Sequence, residues 1–166
     1  MLKYTSKLNE FDTQNAIALI KDTFSRELCD ALDLSRVSAP LFVKHASGLN
    51  DDLNGVERAV SFDIKDSEEE AVIVHSLAKW KRLALKRYSF YPGKGIYTDM
   101  NAIRRDEDDL DNIHSVYVDQ WDWEKIISRE ERNLEYLKNV VERIVSAICL
   151  AHKAVKLLFP AIKVEL

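Results

Sequence analysis

Apolar positions at the two ends of the chain recur at helical spacing. Ile17, Ile20, Phe24, Leu28 and Ala31 predict a helix over about residues 12–34, with Asp12 or Thr13 as its cap. Near the other end, Leu134, Leu137, Val141, Ile144, Ile148, Ala151, Val155 and Leu158 alternate spacings of three and four. That is one apolar stripe along a long helix. Ser128 and Glu131 have capping-box spacing, and Pro160 ends the pattern. The expected packing partner of the stripe is the chain's own sheet; a separate helix is the alternative.

The middle changes period. SRVSAPLFVK is strand-like, with Pro40 confining it to an edge or an irregular strand. HASGLNDDLNG has loop composition. VSFDIK and EEEAVIVHS read as short strands, and the run AVIV predicts cover on both faces. LAKWKRLALKRYS reads as a short helix with Ser76 as N-cap, and YPGKG as a turn. IYTDMNAIR and SVYVDQWDWEKI, joined by RDEDDLDNIH, predict an antiparallel strand pair. The order helix, strands, helix, hairpin, long helix gives an α+β fold with a mostly antiparallel sheet flanked by helices.

Composition narrows the class. The 166 residues fit a single domain spanning 1–166. No apolar run approaches the roughly 20 residues of a membrane helix, and the N-terminus has no signal-peptide pattern. Cys29 and Cys149 lack CxxC partners and read as reduced core thiols of a cytoplasmic protein. A net charge of −4 argues against a broad nucleic-acid surface but leaves room for a local cationic pocket. Neither GxGxxG nor GxxxxGK[ST] occurs, no Cys follows Met1, and the four histidines lack metal-ligand spacing. His75 reads as structural.

Candidate chemistry gathers on residues 115–124. Alternation puts Val116, Val118, Gln120, Asp122 and Glu124 on one strand face, which starts apolar and turns polar midway. Such a face is either solvated or covered by a polar partner, and the pattern leaves both readings open. Arg104 ends a row of Thr98, Met100 and Ala102 on the preceding strand. Its fork suits a phosphate or carboxylate; the competing reading pairs it with the acidic loop 106–111. Lys81 falls on the helix side that carries Leu77, Ala84 and Tyr88, where it either snorkels to water or reaches an anion. Asp51 sits in the Gly/Asn loop, where an acid is either solvated or meets an ammonium group.

Four motifs, in order and with compatible spacing, carry a resemblance: DDLNGVERAVS (51–61), HSLAKWKR (75–82), IRRDEDDLD (103–111) and HSVYVDQWDWE (114–124). Together they resemble the aspartate–ammonia ligases, bacterial ammonia-dependent asparagine synthetases, over nearly the whole chain. That family is similar in fold to the class II aminoacyl-tRNA synthetase catalytic core. The resemblance implies ATP, aspartate and ammonia as substrates, a β-aspartyl-adenylate intermediate, magnesium, and a homodimer formed through the first helix and the Pro40 strand. It implies neither a membrane nor a nucleic-acid partner. Residue by residue, it assigns Arg104 to the α-phosphate and reacting carboxylate, and Lys81 to a substrate carboxylate. It assigns Gln120 and Asp122 to the aspartate pocket, Asp51 to the substrate ammonium, a hydroxyl contact to Ser76 and the adenine to Glu107.

The family pattern continues past this chain, with more pocket carboxylates, the magnesium ligands and a Gly-rich segment bearing an ATP-binding arginine. The expectation is therefore the N-terminal part of the enzyme, with the alternative of a catalytically incompetent fragment or dimerisation module. An aminoacyl-tRNA-binding relative is disfavoured by the acidic pI and the lack of an anticodon-binding domain. The loop KHASGLNDDLNG and Arg105 depart from the family's RVGDG-type stretch and its usual proline.

Overall fold

A computed structural model describes residues 5–51, 53–111 and 114–163. In chain order the elements are α1 (Glu10–Leu32), β1 (Leu34–Arg36), β2 (Phe42–Lys44), β3 (Ser61–Phe62), β4 (Ala71–Ile73), α2 (Ala78–Arg87), β5 (Gly95–Ile103), β6 (Tyr117–Lys125) and α3 (Leu134–Leu158). They form two compact units. One comprises residues up to Leu34 with those from Ile127 onward; the other is Ser35–Ile126.

The first unit is helical. Helix α1 starts earlier than the expected Asp12 or Thr13 cap, because the Asn9 side chain accepts the Asp12 N–H at 2.8 Å. Asp12 is thereby left in the first turn, where its charge suits the positive end of the helix. At the other end Asp33 adopts a left-handed conformation and its N–H returns to the Cys29 carbonyl.

Helix α3 shows a similar shift. The Ser128–Glu131 box does form, with Ser128 N–H donating to Glu131 Oε2 at 2.7 Å and Glu131 N–H to Ser128 Oγ at 3.3 Å. It closes a turn ahead of the helix, however, and the cap is Asn133, which accepts from the Tyr136 N–H at 2.8 Å. The partner of α3 is α1 rather than the sheet that its pattern suggested. Ala147, Ala151 and Val155 are the buried residues of α3, and their small side chains allow close approach of the backbones. Arg143 Nη1 ties the pair by donating to the Ala31 carbonyl at 3.0 Å. Leu134, Leu137, Val141, Ile148 and Leu158 of the same stripe are exposed.

The second unit holds two three-stranded sheets, ordered β1-β5-β6 and β2-β4-β3. The stretch read as one strand around Pro40 is split: β1 and β2 belong to different sheets, with Pro40 between them. Proline has no N–H to give a ladder, so the break falls there. Strands β5 and β6 pair antiparallel through nine opposed positions, from Gly95↔Lys125 to Ile103↔Tyr117. Their near ends are joined to the YPGKG turn, where Gly93 takes a φ of +94° and donates to the Ile126 carbonyl at 2.9 Å.

Val43, Val72, Val74, Leu77, Met100 and Ala102 make one apolar core. Ala84, Leu85 and Ile96 make a second, and Trp80 packs against both. Burial of Ala71, Val72 and Val74 agrees with the cover expected for AVIV. Met100 and Ala102 of the first core lie opposite Gln120 and Val118 in the β5–β6 ladder, so the core shares a face with the polar residues of β6.

Candidate active site

The ladder register builds the site. Thr98 lies opposite Asp122, Met100 opposite Gln120 and Ala102 opposite Val118. Opposed residues on an antiparallel pair share a face, so the row ending in Arg104 and the row ending in Glu124 form one surface. Arg104 extends the ladder by one step, its N–H donating to the Val116 carbonyl at 2.8 Å.

Helix α2 delivers Lys81 to this surface. Leu77 and Ala84, one turn to either side, are buried, and Lys81 itself is 1% exposed. It does not snorkel. Its ammonium pairs with Asp122 Oδ1 and also donates to the Trp123 carbonyl at 3.2 Å. A buried lysine is tolerated only with such partners. Gln120 Nε2 approaches Met100 Sδ at 3.4 Å, a weak acceptor that leaves most of the amide's capacity unused. Arg82 and Glu124 pair beside this cluster at 3.2 Å.

Arg104 does not follow the acidic-loop reading at its Nε, which is buried and without a hydrogen-bond partner. Asp106, the first acid of that loop, is held by Arg58 through its backbone N–H and Nε, each at 2.9 Å, and through Nη2. These bonds hold the Asp106 carboxyl well below the usual carboxylate range. Glu107 turns back on the same loop, its N–H donating to the Arg104 carbonyl at 3.1 Å.

The preceding loop reaches α2. Asp51 Oδ2 accepts the Lys79 N–H at 3.3 Å, and its other oxygen lies 3.8 Å from Lys79 Nζ. Asn50 is buried and accepts the N–H of His75 at 2.8 Å. Ser76 lies just ahead of α2, its hydroxyl accepting the Ala78 N–H at 3.4 Å. His75 is 1% exposed, and neither ring nitrogen has a hydrogen-bond partner.

The structure thus brings Lys81, Gln120, Asp122 and Arg104 onto one surface, with Ser76 and Asp51 at the start of the helix that supplies Lys81. Glu107 stands on the loop beyond Arg104. Sequence reasoning missed three contributors. Asn50 adjoins Asp51 and differs from other loop asparagines only in its burial. Arg58 meets Asp106 across 48 positions, a pairing that no local pattern signals. Thr98 was visible only as a small member of the Arg104 row.

Comparison with known proteins decides the family. The model of the family described as aspartate-ammonia ligase matches residues 11–166. The chain belongs to the aspartate–ammonia ligase family. It is 65% identical over 144 residues to an aspartate–ammonia ligase of Clostridium perfringens, covering 86% of this chain and 43% of the relative. It is 58% identical over 160 residues to that of Lactobacillus acidophilus, covering 95% and 47%. The chain therefore spans less than half the length of these aspartate–ammonia ligases.

Solved structures supply the fold. Entamoeba histolytica asparaginyl-tRNA synthetase, in complex with asparaginyl-adenylate, superposes with a TM-score of 0.56 at 14% identity, over 100% of this chain and 37% of that one. Giardia lamblia prolyl-tRNA synthetase, with prolyl-adenylate, gives 0.60 at 11% identity, over 80% and 29%. This aspartate–ammonia ligase family chain has a class II aminoacyl-tRNA synthetase-like fold.

Proposed function

We propose that this chain supplies the aspartate-binding wall and the α-phosphate arginine of a ligase that makes asparagine from aspartate, ammonia and ATP. The observation that carries the reading is the surface shared by Lys81, Gln120, Asp122 and Arg104. A buried cation, a buried unfilled guanidinium nitrogen and a carboxylate match a zwitterion next to a phosphate. The family membership gives that zwitterion its identity.

In the first step a side-chain carboxylate oxygen of aspartate attacks the α-phosphorus of ATP. The bond to the bridging oxygen breaks, and pyrophosphate leaves. Arg104 offsets the charge that builds on the α-phosphate oxygens and holds the attacking carboxylate in line. Lys81 receives the other carboxylate, Asp122 and Asp51 face the ammonium group, and Gln120 fixes orientation through its amide. Ser76 adds a hydroxyl and Glu107 approaches the adenine. In the second step ammonia adds to the activated carbonyl carbon, AMP departs, and a proton leaves the nitrogen.

Among the described residues no three His, Cys, Asp or Glu side chains are arranged to hold a metal ion. They do not by themselves fit the magnesium implied by the resemblance, whose ligands we place in the part of the family pattern beyond this chain. We place the working enzyme in the cytoplasm as a homodimer. Because the chain spans under half of its relatives, the second reading is a fragment that makes no asparagine alone.

Asparagine and AMP are measured with aspartate, ammonia and ATP, first for this chain and then for this chain joined to the remaining segment of a relative. We expect no product from the first and both products from the second. In the joined protein Arg104→Ala should cut aspartate-dependent AMP release by at least about 10²-fold. Asparagine made by the chain alone would overturn the fragment reading, and unchanged AMP release would remove Arg104 from the site.

A further inference from the structure

Thr98 is fully buried, at 0% exposure, and its hydroxyl has no hydrogen-bond partner. A valine would fill the same space without burying an unsatisfied donor and acceptor, so packing alone does not account for threonine here. Its neighbours give the hydroxyl a direction. The ladder register sets Thr98 directly across from Asp122. Side chains so opposed stand about 4.5–5.5 Å apart at Cβ. From there a turn about χ1 brings a threonine hydroxyl within reach of a carboxylate oxygen.

Asp122 is at present occupied by Lys81, which is itself buried. For Lys81 to receive a substrate carboxylate, its ammonium must turn from Asp122. That movement would leave a carboxylate, 23% exposed at its side chain, short of a donor. Thr98 is the opposed residue with an unused O–H.

We propose that Thr98 is a positioning residue that takes over Asp122 when Lys81 turns to the substrate. Its hydroxyl donates to the Asp122 carboxylate, so the lysine changes partners without stranding a charge. The hydroxyl, which has no hydrogen-bond partner while Lys81 holds Asp122, is then a reserve used once the lysine has turned away. The proposal rests on the reading of this surface as an aspartate pocket.

The chain's three tryptophans, Trp80, Trp121 and Trp123, all lie on α2 or β6, so their emission reports on this surface. L-Aspartate is titrated into the chain joined to the remaining segment of a relative, as wild type, T98V and T98S, with sodium chloride at matched ionic strength as control. Thermal midpoints are taken without ligand. In wild type we expect a saturable response to aspartate. T98V should raise the dissociation constant about tenfold, as for a lost hydrogen bond to a charged group, and T98S should stay within about twofold. The unliganded T98V midpoint should equal or exceed that of wild type, because nothing bonded is removed.

T98V that binds like wild type overturns the proposal. So does T98V with a lowered unliganded midpoint and an affinity not restored by T98S, which is what a purely structural role gives. A joined wild-type protein that ignores aspartate overturns the pocket reading itself, and that is seen before any variant is made.

Discussion

Asp122→Ala removes the charged partner of a lysine that is 1% exposed. What remains for the ammonium is the Trp123 carbonyl at 3.2 Å. Breaking a buried pair from one side costs about 3–5 kcal/mol. The expected destabilisation is therefore about 3–5 kcal/mol at pH 7. Lys81→Met strands only Asp122, which keeps water contact, and should cost about 1–2 kcal/mol. The double variant should be more stable than Asp122→Ala alone. Urea unfolding followed by tryptophan emission measures all three, since every tryptophan lies in the Ser35–Ile126 unit. A loss under about 1 kcal/mol at pH 7 would refute the reasoning from burial.

Asn50→Ala should cost about 1–3 kcal/mol in the same assay, because the buried His75 N–H loses its acceptor at 2.8 Å. Asn50→Asp keeps an acceptor and should cost less, so equal losses for the two would count against the bond. For Asp106, Arg58 lowers the folded-state pKa beneath the ordinary value of 3.8. Its contribution is therefore complete above about pH 4 and declines as pH falls toward the depressed value. Acid unfolding of wild type and Arg58→Ala, followed by circular dichroism, should differ by a constant amount above that pH and converge below it. A difference that persists unchanged to pH 2 would exclude Asp106 as its source.

The parts of the fold legible in the sequence are those governed by short periods. Two nine-residue strands with alternating faces left little freedom, so the antiparallel hairpin agrees with the structure, whereas the face shared by Arg104, Gln120 and Asp122 came only with the ladder register. Helix starts were displaced by a turn because several capping residues competed. Asn9 and Asn133 outdid Asp12 and Ser128 through geometry that spacing alone does not reveal. The packing partner of α3 was misjudged for a related reason: a stripe specifies that something apolar will cover it, not whether that is a helix or a sheet. Lys81 presented the reverse difficulty. Its burial follows from Leu77 and Ala84 on the same side of α2, yet only the tertiary placement of Asp122 makes burial affordable. Arg58 and Asp106 are brought together by two loops, and no periodic signal describes loops.

Strand β6 lies at the margin of its sheet, with β5 as its one sheet neighbour among the described residues. The phase of the candidate site is therefore written in a single ladder. Sliding β6 by one residue would present Asp119 and Trp121 where Gln120 and Asp122 now stand. An insertion or deletion inside residues 117–125 would turn the candidate surface inside out with its composition almost unchanged. The same change within residues 105–111 could be taken up by the loop. Over β6, length is as much a determinant of the site as side-chain identity.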